Sequence, residues 1–186
     1  MLRAKDYDSV IQATAISRLP TLLATMSWLP GGRSDCQLDL SCLLLDIKGE
    51  PLHGPKGLVF YGSEVSDCGA VQHYQRRDSN DERTQHIEIS LPDLDARVME
   101  LQLVTSLYEG PKHGLVLTDL EKAVLTIARS DDSRTMVTTP LPGEGVSDSM
   151  IVGSLVRISE MHWEWKPIFR TLHNGLPGLL QESGLA

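Results

Sequence analysis

No apolar run in the chain approaches the roughly 18 residues that a membrane helix needs, and the start, MLRAKDYDSVIQ, lacks the apolar stretch of a secretory leader. These two absences set the expectation of a cytoplasmic protein with no membrane insertion. Cysteine is scarce: Cys36, Cys42 and Cys68 are odd in number and show no C-x-x-C spacing. That excludes a disulfide framework and a zinc ribbon, and points to a reducing compartment. Neither G-x-x-x-x-G-K-[ST] nor G-x-G-x-x-G occurs, so the chain carries no recognisable phosphate-cradling loop. Basic residues are in deficit, with 17 Lys+Arg against 25 Asp+Glu and a formal net charge of -8. Nucleic acid and anionic membranes both demand a concentrated positive field, so neither is expected as the main partner.

What is present is period-two alternation, the pattern of strands with one face in a core. HIEISL places Ile87, Ile89 and Leu91 on one side and His86, Glu88 and Ser90 on the other. TLLATMSW aligns Leu22, Ala24, Met26 and Trp28, and LDLSCLLLD aligns Leu38, Leu40, Cys42 and Leu44. The latter also carries Leu43 and Leu45 on its second face, as a strand covered on both sides would. GLVFYG, LQLVTSLY, AVLTIARS, TMVTTPL, MIVGSLVRI and HWEWKPIF add further strands, separated by turn-rich stretches such as DIKGEPLHGPKG, EGPKHG and LPGEG. At 186 residues this predicts a single domain spanning residues 1–186, an all-β, two-sheet β-sandwich with long polar loops. Helix signals are confined to PDLDARVMEL, with one or two turns, and to the tail NGLPGLLQESGL, with Pro177 in its first turn. The segment DSNDERTQ, residues 78–85, is expected as a surface loop.

Three constellations invite chemistry. Cys68 precedes His73 by five positions, but no G-x-S-x-G elbow or catalytic-cysteine signature accompanies them. HWEW gathers a histidine and two tryptophans, yet strand alternation turns Trp163 and Trp165 into the core together. The acids from Asp35 to Glu82, among them Asp39, Asp67, Asp81 and Glu82, are oxygen ligands of the kind calcium takes six to eight of. Their spacing is not that of an EF-hand, and Arg76, Arg77 and Arg83 stand among them.

Four blocks in order, MSWLPGGRSDCQLDLSCLLLDIKGE, LVFYGSEVSDCGAVQH, IEISLPDLDARVMELQLVTSLYEG and DSMIVGSLVRISEMHWEWKPIFRTLHNGLPGLL, resemble the TerD family of tellurium-resistance and stress-response proteins across nearly the whole chain. The resemblance implies a β-sandwich that binds calcium through acidic loops at one end, and a bacterial role exercised by binding rather than by a known reaction. It also implies site positions that this chain has partly changed. The family's Asp-x-Asp pair falls on Gln37 and Asp39, and its Ser-x-Asp-Gly-Ser on Ser66, Asp67, Cys68, Gly69 and Ala70. The family histidine is His73, and its Gly-Asp-Asn falls on Gln75, Arg76 and Arg77. Its acidic cluster falls on Arg83, Thr84 and Gln85, with Asp81 and Glu82 just upstream. Arginine stays protonated at any physiological pH, so Arg76 or Arg77 would repel a divalent ion and pair with Asp39 or Asp67 instead. The resulting expectation is a non-enzymatic TerD-like binding or scaffold protein that has no cofactor, carries a degenerate calcium site and partners other stress-response proteins. The alternatives are a calcium protein using Asp39, Asp67, Asp81 and Glu82, and a thiol-based redox or tellurite sensor using Cys68.

Overall fold

Alternating side chains need a second layer to bury against, and here two antiparallel sheets supply one to each other. The computed structural model describes residues 14–16, 19–29, 36–74, 82–143 and 147–185. Its strands are β1 (Thr14–Ile16), β2 (Thr21–Leu29), β3 (Leu38–Leu45), β4 (Leu58–Val59), β5 (Val71–Tyr74) and β6 (Arg83–Ser90). They continue with β7 (Glu100–Leu107), β8 (Glu121–Arg129), β9 (Thr135–Pro140), β10 (Ser149–Ser159) and β11 (His162–Leu172). One sheet runs β1-β11-β10-β7-β3-β4 and the other β5-β6-β2-β8-β9. Every pairing between these strands is antiparallel. The all-β sandwich expected from the alternation is the fold observed.

The inner layer holds the residues that the alternation assigned to it. Leu22, Ala24 and Met26 of β2 are fully buried, as are Leu38, Leu40, Cys42 and Leu44 of β3, and Ile87 and Ile89 of β6. Trp163 and Trp165 face the same core, as HWEW implied. Burying each large aliphatic side chain is worth roughly 1.5–3 kcal/mol, so this layer supplies most of the driving force.

The six-stranded sheet is also covered on its outer face, by the helix α2 (Gly175–Glu182). Leu43, Leu45, Leu58, Val104, Ile151, Leu172 and Leu179 form a second apolar cluster there, with Leu176 and Leu180 packed against it. This explains why every residue of β3 is buried. Gly178 lies where α2 turns off β11, and a Cβ there would stand 1.8 Å from the His173 carbonyl oxygen, so the close approach requires glycine.

Three local expectations are corrected. Residues 83–85 do not extend a loop: they open β6, where Trp28, Ser27 and Met26 of β2 pair with Arg83, Thr84 and Gln85 and override their polar character. PDLDARVMEL contributes only part of a single 3-10 turn, Leu91–Asp93, followed by turns. EGPKHG, expected as a turn, winds into the short helix α1 (Gly110–His113). No helix among the described residues is long and apolar enough to cross a membrane.

Candidate functional site

The polar end of the six-stranded sheet begins with Asp39. Because Leu38 and Leu40 point into the core, Asp39 points to the outer face of β3. It lies opposite Ser106 of β7, which in turn lies opposite Ser149 of β10. Ser41 sits one row further along β3, and its hydroxyl is buried with no hydrogen-bond partner among the described residues. The result is a row of small oxygen-bearing side chains on three strands that are far apart in sequence.

Asp39 is only 4 % exposed. Burial disfavours the charged carboxylate, and its pKa is pushed from 3.8 up to about 7. Tyr61 lies in the turn after β4, and its hydroxyl is held above the ordinary tyrosine range by burial, then by the nearby Asp39 charge and by Tyr108. The rings of Tyr61 and Tyr108 meet edge to face at 6.2 Å and 79°. Gln37 is exposed just ahead of β3, and its backbone carbonyl accepts the Tyr108 N–H at 2.8 Å. Asp39 also holds β7 through its backbone, with the Thr105 hydroxyl donating to its carbonyl at 3.0 Å.

A second acid, which no motif singled out, reaches the same end of this sheet. Asp148 precedes Ser149, whose hydroxyl donates to Asp148 Oδ1 at 3.0 Å, while Oδ2 is buried without a hydrogen-bond partner among the described residues. A Cβ built on Gly175 would stand 3.9 Å from that Oδ2, so the carboxylate faces the start of α2. The positive end of a helix dipole favours an anion there. The legible signal was Ser-Asp-Ser immediately before a strand, but nothing in the letters says that α2 begins above it.

Asp67 does not join Asp39. The chain leaves β3 at Leu45, returns along β4 towards Tyr61 and then descends again, so the loop at residues 66–70 lies beyond the far end of β3. Asp67 there meets Lys56 Nζ at 3.3 Å and His53 Nδ1 at 3.5 Å, while His53 Nε2 lies 3.2 Å from Asp95. Cys68 is half-buried beside Ser66, at 3.5 Å from sulfur to oxygen. His73 is buried in the inner layer, its Nε2 is 2.8 Å from Gln85 Oε1, and burial lowers its pKa. Glu82 is exposed just before β6. Arg76, Arg77 and Asp81 lie outside the described residues.

Calcium takes six to eight oxygens at about 2.3–2.6 Å, several of them from carboxylates. Asp39 and Asp148 are the acids that the strands bring to this patch, and no group of three or more His, Cys, Asp or Glu that could hold a metal forms among the described residues. The described side chains therefore do not fit a calcium ion. What they offer is a dry carboxyl poised near neutrality, with two half-exposed tyrosines beside it.

A TerD domain profile matches residues 10–182. The fold is similar to the crystal structure of a homologue of telluride resistance protein (TerD) from Streptomyces coelicolor A3(2), with a TM-score of 0.69 at 14 % identity, covering 87 % of this chain and 95 % of that one. It is also similar to the crystal structure of the unknown-function protein SAV2460, with a TM-score of 0.66 at 16 % identity, covering 82 % of this chain and 89 % of that one. No curated protein matches the chain.

Proposed function

Starting from the premise that this chain belongs to the TerD domain family, we propose that it is a non-enzymatic binding or scaffold protein of the bacterial tellurium-resistance and stress response. It acts in the cytoplasm on other stress-response proteins, and its calcium site is degenerate. The observation that supports this reading is Asp39, the acid that falls on the family's pair, which is 4 % exposed and joins no group of three or more His, Cys, Asp or Glu among the described residues. A carboxylate organised for a divalent ion belongs among several others. Tyr61 and Tyr108, 40 % and 45 % exposed at the same end, support a docking role, because tyrosine supplies contact area at low entropic cost.

The test is thermal unfolding of chelator-treated protein with and without about 1 mM calcium, since ligand at 100 times its Kd adds about 2.7 kcal/mol. The expected result is no change in Tm. A rise of several degrees would overturn the degenerate-site reading in favour of calcium binding. That second reading is favoured by one observation, the buried and unpartnered Oδ2 of Asp148. It requires that Asp39→Asn abolish the rise.

A thiol-based role for Cys68 is tested by alkylation. Its sulfur lies 3.5 Å from the Ser66 hydroxyl, His73 turns Nε2 to Gln85, and His73 Nδ1 is buried with no hydrogen-bond partner among the described residues, so no Cys68–His73 hydrogen bond supports the sensor reading. Cys36 and Cys42 are buried, and burial pushes the Cys42 thiol up. Iodoacetamide near neutral pH is expected to label Cys68 alone in the native protein, at the rate of an ordinary thiol. Labelling much faster than that would indicate an activated thiolate and favour the sensor reading.

A further inference from the structure

The two outer faces of the sandwich differ in charge. The six-stranded sheet is covered by α2 where it is apolar, and elsewhere its outer face carries Glu100, Glu164 and Lys166. On the five-stranded sheet, alternation turns one complete row of side chains outward across all its strands: Tyr74 of β5, His86 of β6, Thr25 of β2, Thr126 of β8 and Thr138 of β9. The described rows on either side run from Gln72 to Thr135 and from Thr84 to Pro140. These three rows hold no lysine, arginine or aspartate, and Glu88 is their one glutamate, in a chain whose residues are 23 % charged. Apart from His86, the side chains of the central row are partly or wholly exposed.

That depletion selects the occupant. Two copies of a chain of net charge -8 repel one another, so the face on which they meet at least cost is the one that brings the fewest like charges together. Loss of charged residues is also what sets the centre of a protein interface apart from the rest of a surface. A hydroxyl both donates and accepts, so a row of threonines is complementary to its own copy, as a two-fold contact requires. The centre of the face is already ordered: His86 Nδ1 is 3.0 Å from the Thr25 hydroxyl, and its Nε2 is 2.9 Å from that of Thr84. Tyr74, 41 % exposed, adds an aromatic contact. Five strands about 4.8 Å apart and three rows about 7 Å apart span a plane of roughly 500 Å², whose pleated surface comes near the lower limit of specific interfaces, about 600 Å² per partner.

We propose that the protein self-associates through this face as a weak two-fold dimer, the five-stranded sheets of two copies stacked with Thr25 and Thr126 at the centre. Sheets stacked face to face lie about 10 Å apart with their strands about 30° out of line, the geometry that twisted sheets adopt within a single sandwich. Tyr61, Tyr108 and the Asp39 patch belong to the other sheet and stay uncovered, so a dimer presents that patch twice. The inference does not rest on the function assigned to the patch.

The experiment is sedimentation equilibrium of the full chain, alongside Thr126→Lys and the control Gln181→Lys on the exposed side of α2. Each variant adds one positive charge, so a difference between them reports place and not net charge. A monomer–dimer equilibrium is expected in the wild type and in Gln181→Lys between about 1 µM and about 300 µM, weakened at least about tenfold in Thr126→Lys, which forces two ammonium groups into the contact. Added salt should strengthen the association by screening the repulsion between two acidic chains. A wild type that stays monomeric throughout overturns the proposal and leaves the face to a different partner. Equal association in all three proteins, or weakening by salt, places the contact elsewhere and overturns it too. Wild-type amide shifts give a reading that needs no variant: Leu23, Thr25 and Thr126 should move with protein concentration, and movement confined to α2 and its sheet sinks the assignment.

Discussion

Asp39→Asn is expected to raise the free energy of unfolding at pH 8 by on the order of 2–4 kcal/mol, the size that follows from a carboxyl pKa raised by about three units. The folded pKa of Asp39 is about 7 against 3.8 for an ordinary aspartate, and desolvation is the cause. Between those values the folded chain holds a proton that the unfolded chain has released. By linkage, stability falls as pH rises through that window, and the loss is complete above about 7. Asparagine keeps the shape and removes the charge, so its advantage should be large at pH 8 and nearly gone at pH 4.

Other groups contribute to the wild-type pH profile with different signs. His73 is held neutral by burial, so the unfolded chain takes its proton first and stability drops as pH falls through the ordinary histidine range. The carboxyls of Asp46, Asp95 and Asp131 are held below the usual range, chiefly by backbone hydrogen bonds for Asp46 and by Arg97 and Arg129 for the others. Their contribution is present above that range and is lost as pH falls below it. The difference between wild type and Asp39→Asn, measured by urea unfolding at several pH values, isolates Asp39 from all of these. If Asp39→Asn is instead destabilising at pH 8, a cation sits beside the carboxylate and the Asp39 reading fails.

The second large effect is Trp165→Ala, expected to cost about 3–5 kcal/mol, as truncation of a buried aromatic does. Trp165 is 2 % exposed on β11, opposite Leu155 of β10 and Thr14 of β1. Its indole N–H has no acceptor among the described residues, so its contribution is packing. The space it fills is created by an irregularity: β10 breaks register between Ile151 and Gly153 against both of its neighbours. On β11 the matching distortion holds Phe169 at a φ of 53°, a left-handed value that a bulky residue rarely adopts.

Gly153 lies directly under the Trp165 ring. A Cβ there would stand 2.4 and 2.6 Å from ring carbons and 2.7 Å from the Lys166 carbonyl oxygen. Gly153→Ala should therefore destabilise by about 1–3 kcal/mol or more. In the Trp165→Ala background the ring clash disappears while the carbonyl clash remains, so the two costs should be less than additive. Urea unfolding of the four proteins checks this. Strict additivity would show that Gly153 and Trp165 do not press on each other.

Much of the fold was legible because a strand's side chains alternate whatever it pairs with. HIEISL, TLLATMSW and HWEW gave up their inward residues without reference to any neighbour. The doubly apolar LDLSCLLLD announced a strand with cover on both faces, which α2 provides. The errors fell where pairing overrides composition. Arg83, Thr84 and Gln85 are polar enough for a loop, yet β2 extends alongside them and claims their backbone hydrogen bonds. The short helix in EGPKHG had no periodicity long enough to detect.

The letters alone determined the strand-rich sandwich, its inner face and the negative charge. Those follow from side-chain chemistry and a period of two, which are local. Only the tertiary structure decided where each acid went, because position along a sheet depends on strand direction and on how the connections are routed. The β3–β4 return sent Asp67 to the far end from Asp39, where Lys56 and His53 take it. Asp148 arrived beside the start of α2, although 109 positions separate it in sequence from Asp39. The burial that raises the Asp39 pKa, and the row that sets Asp39 beside Ser106 and Ser149, both need several non-consecutive strands at once. Neither is a property of any single stretch of chain.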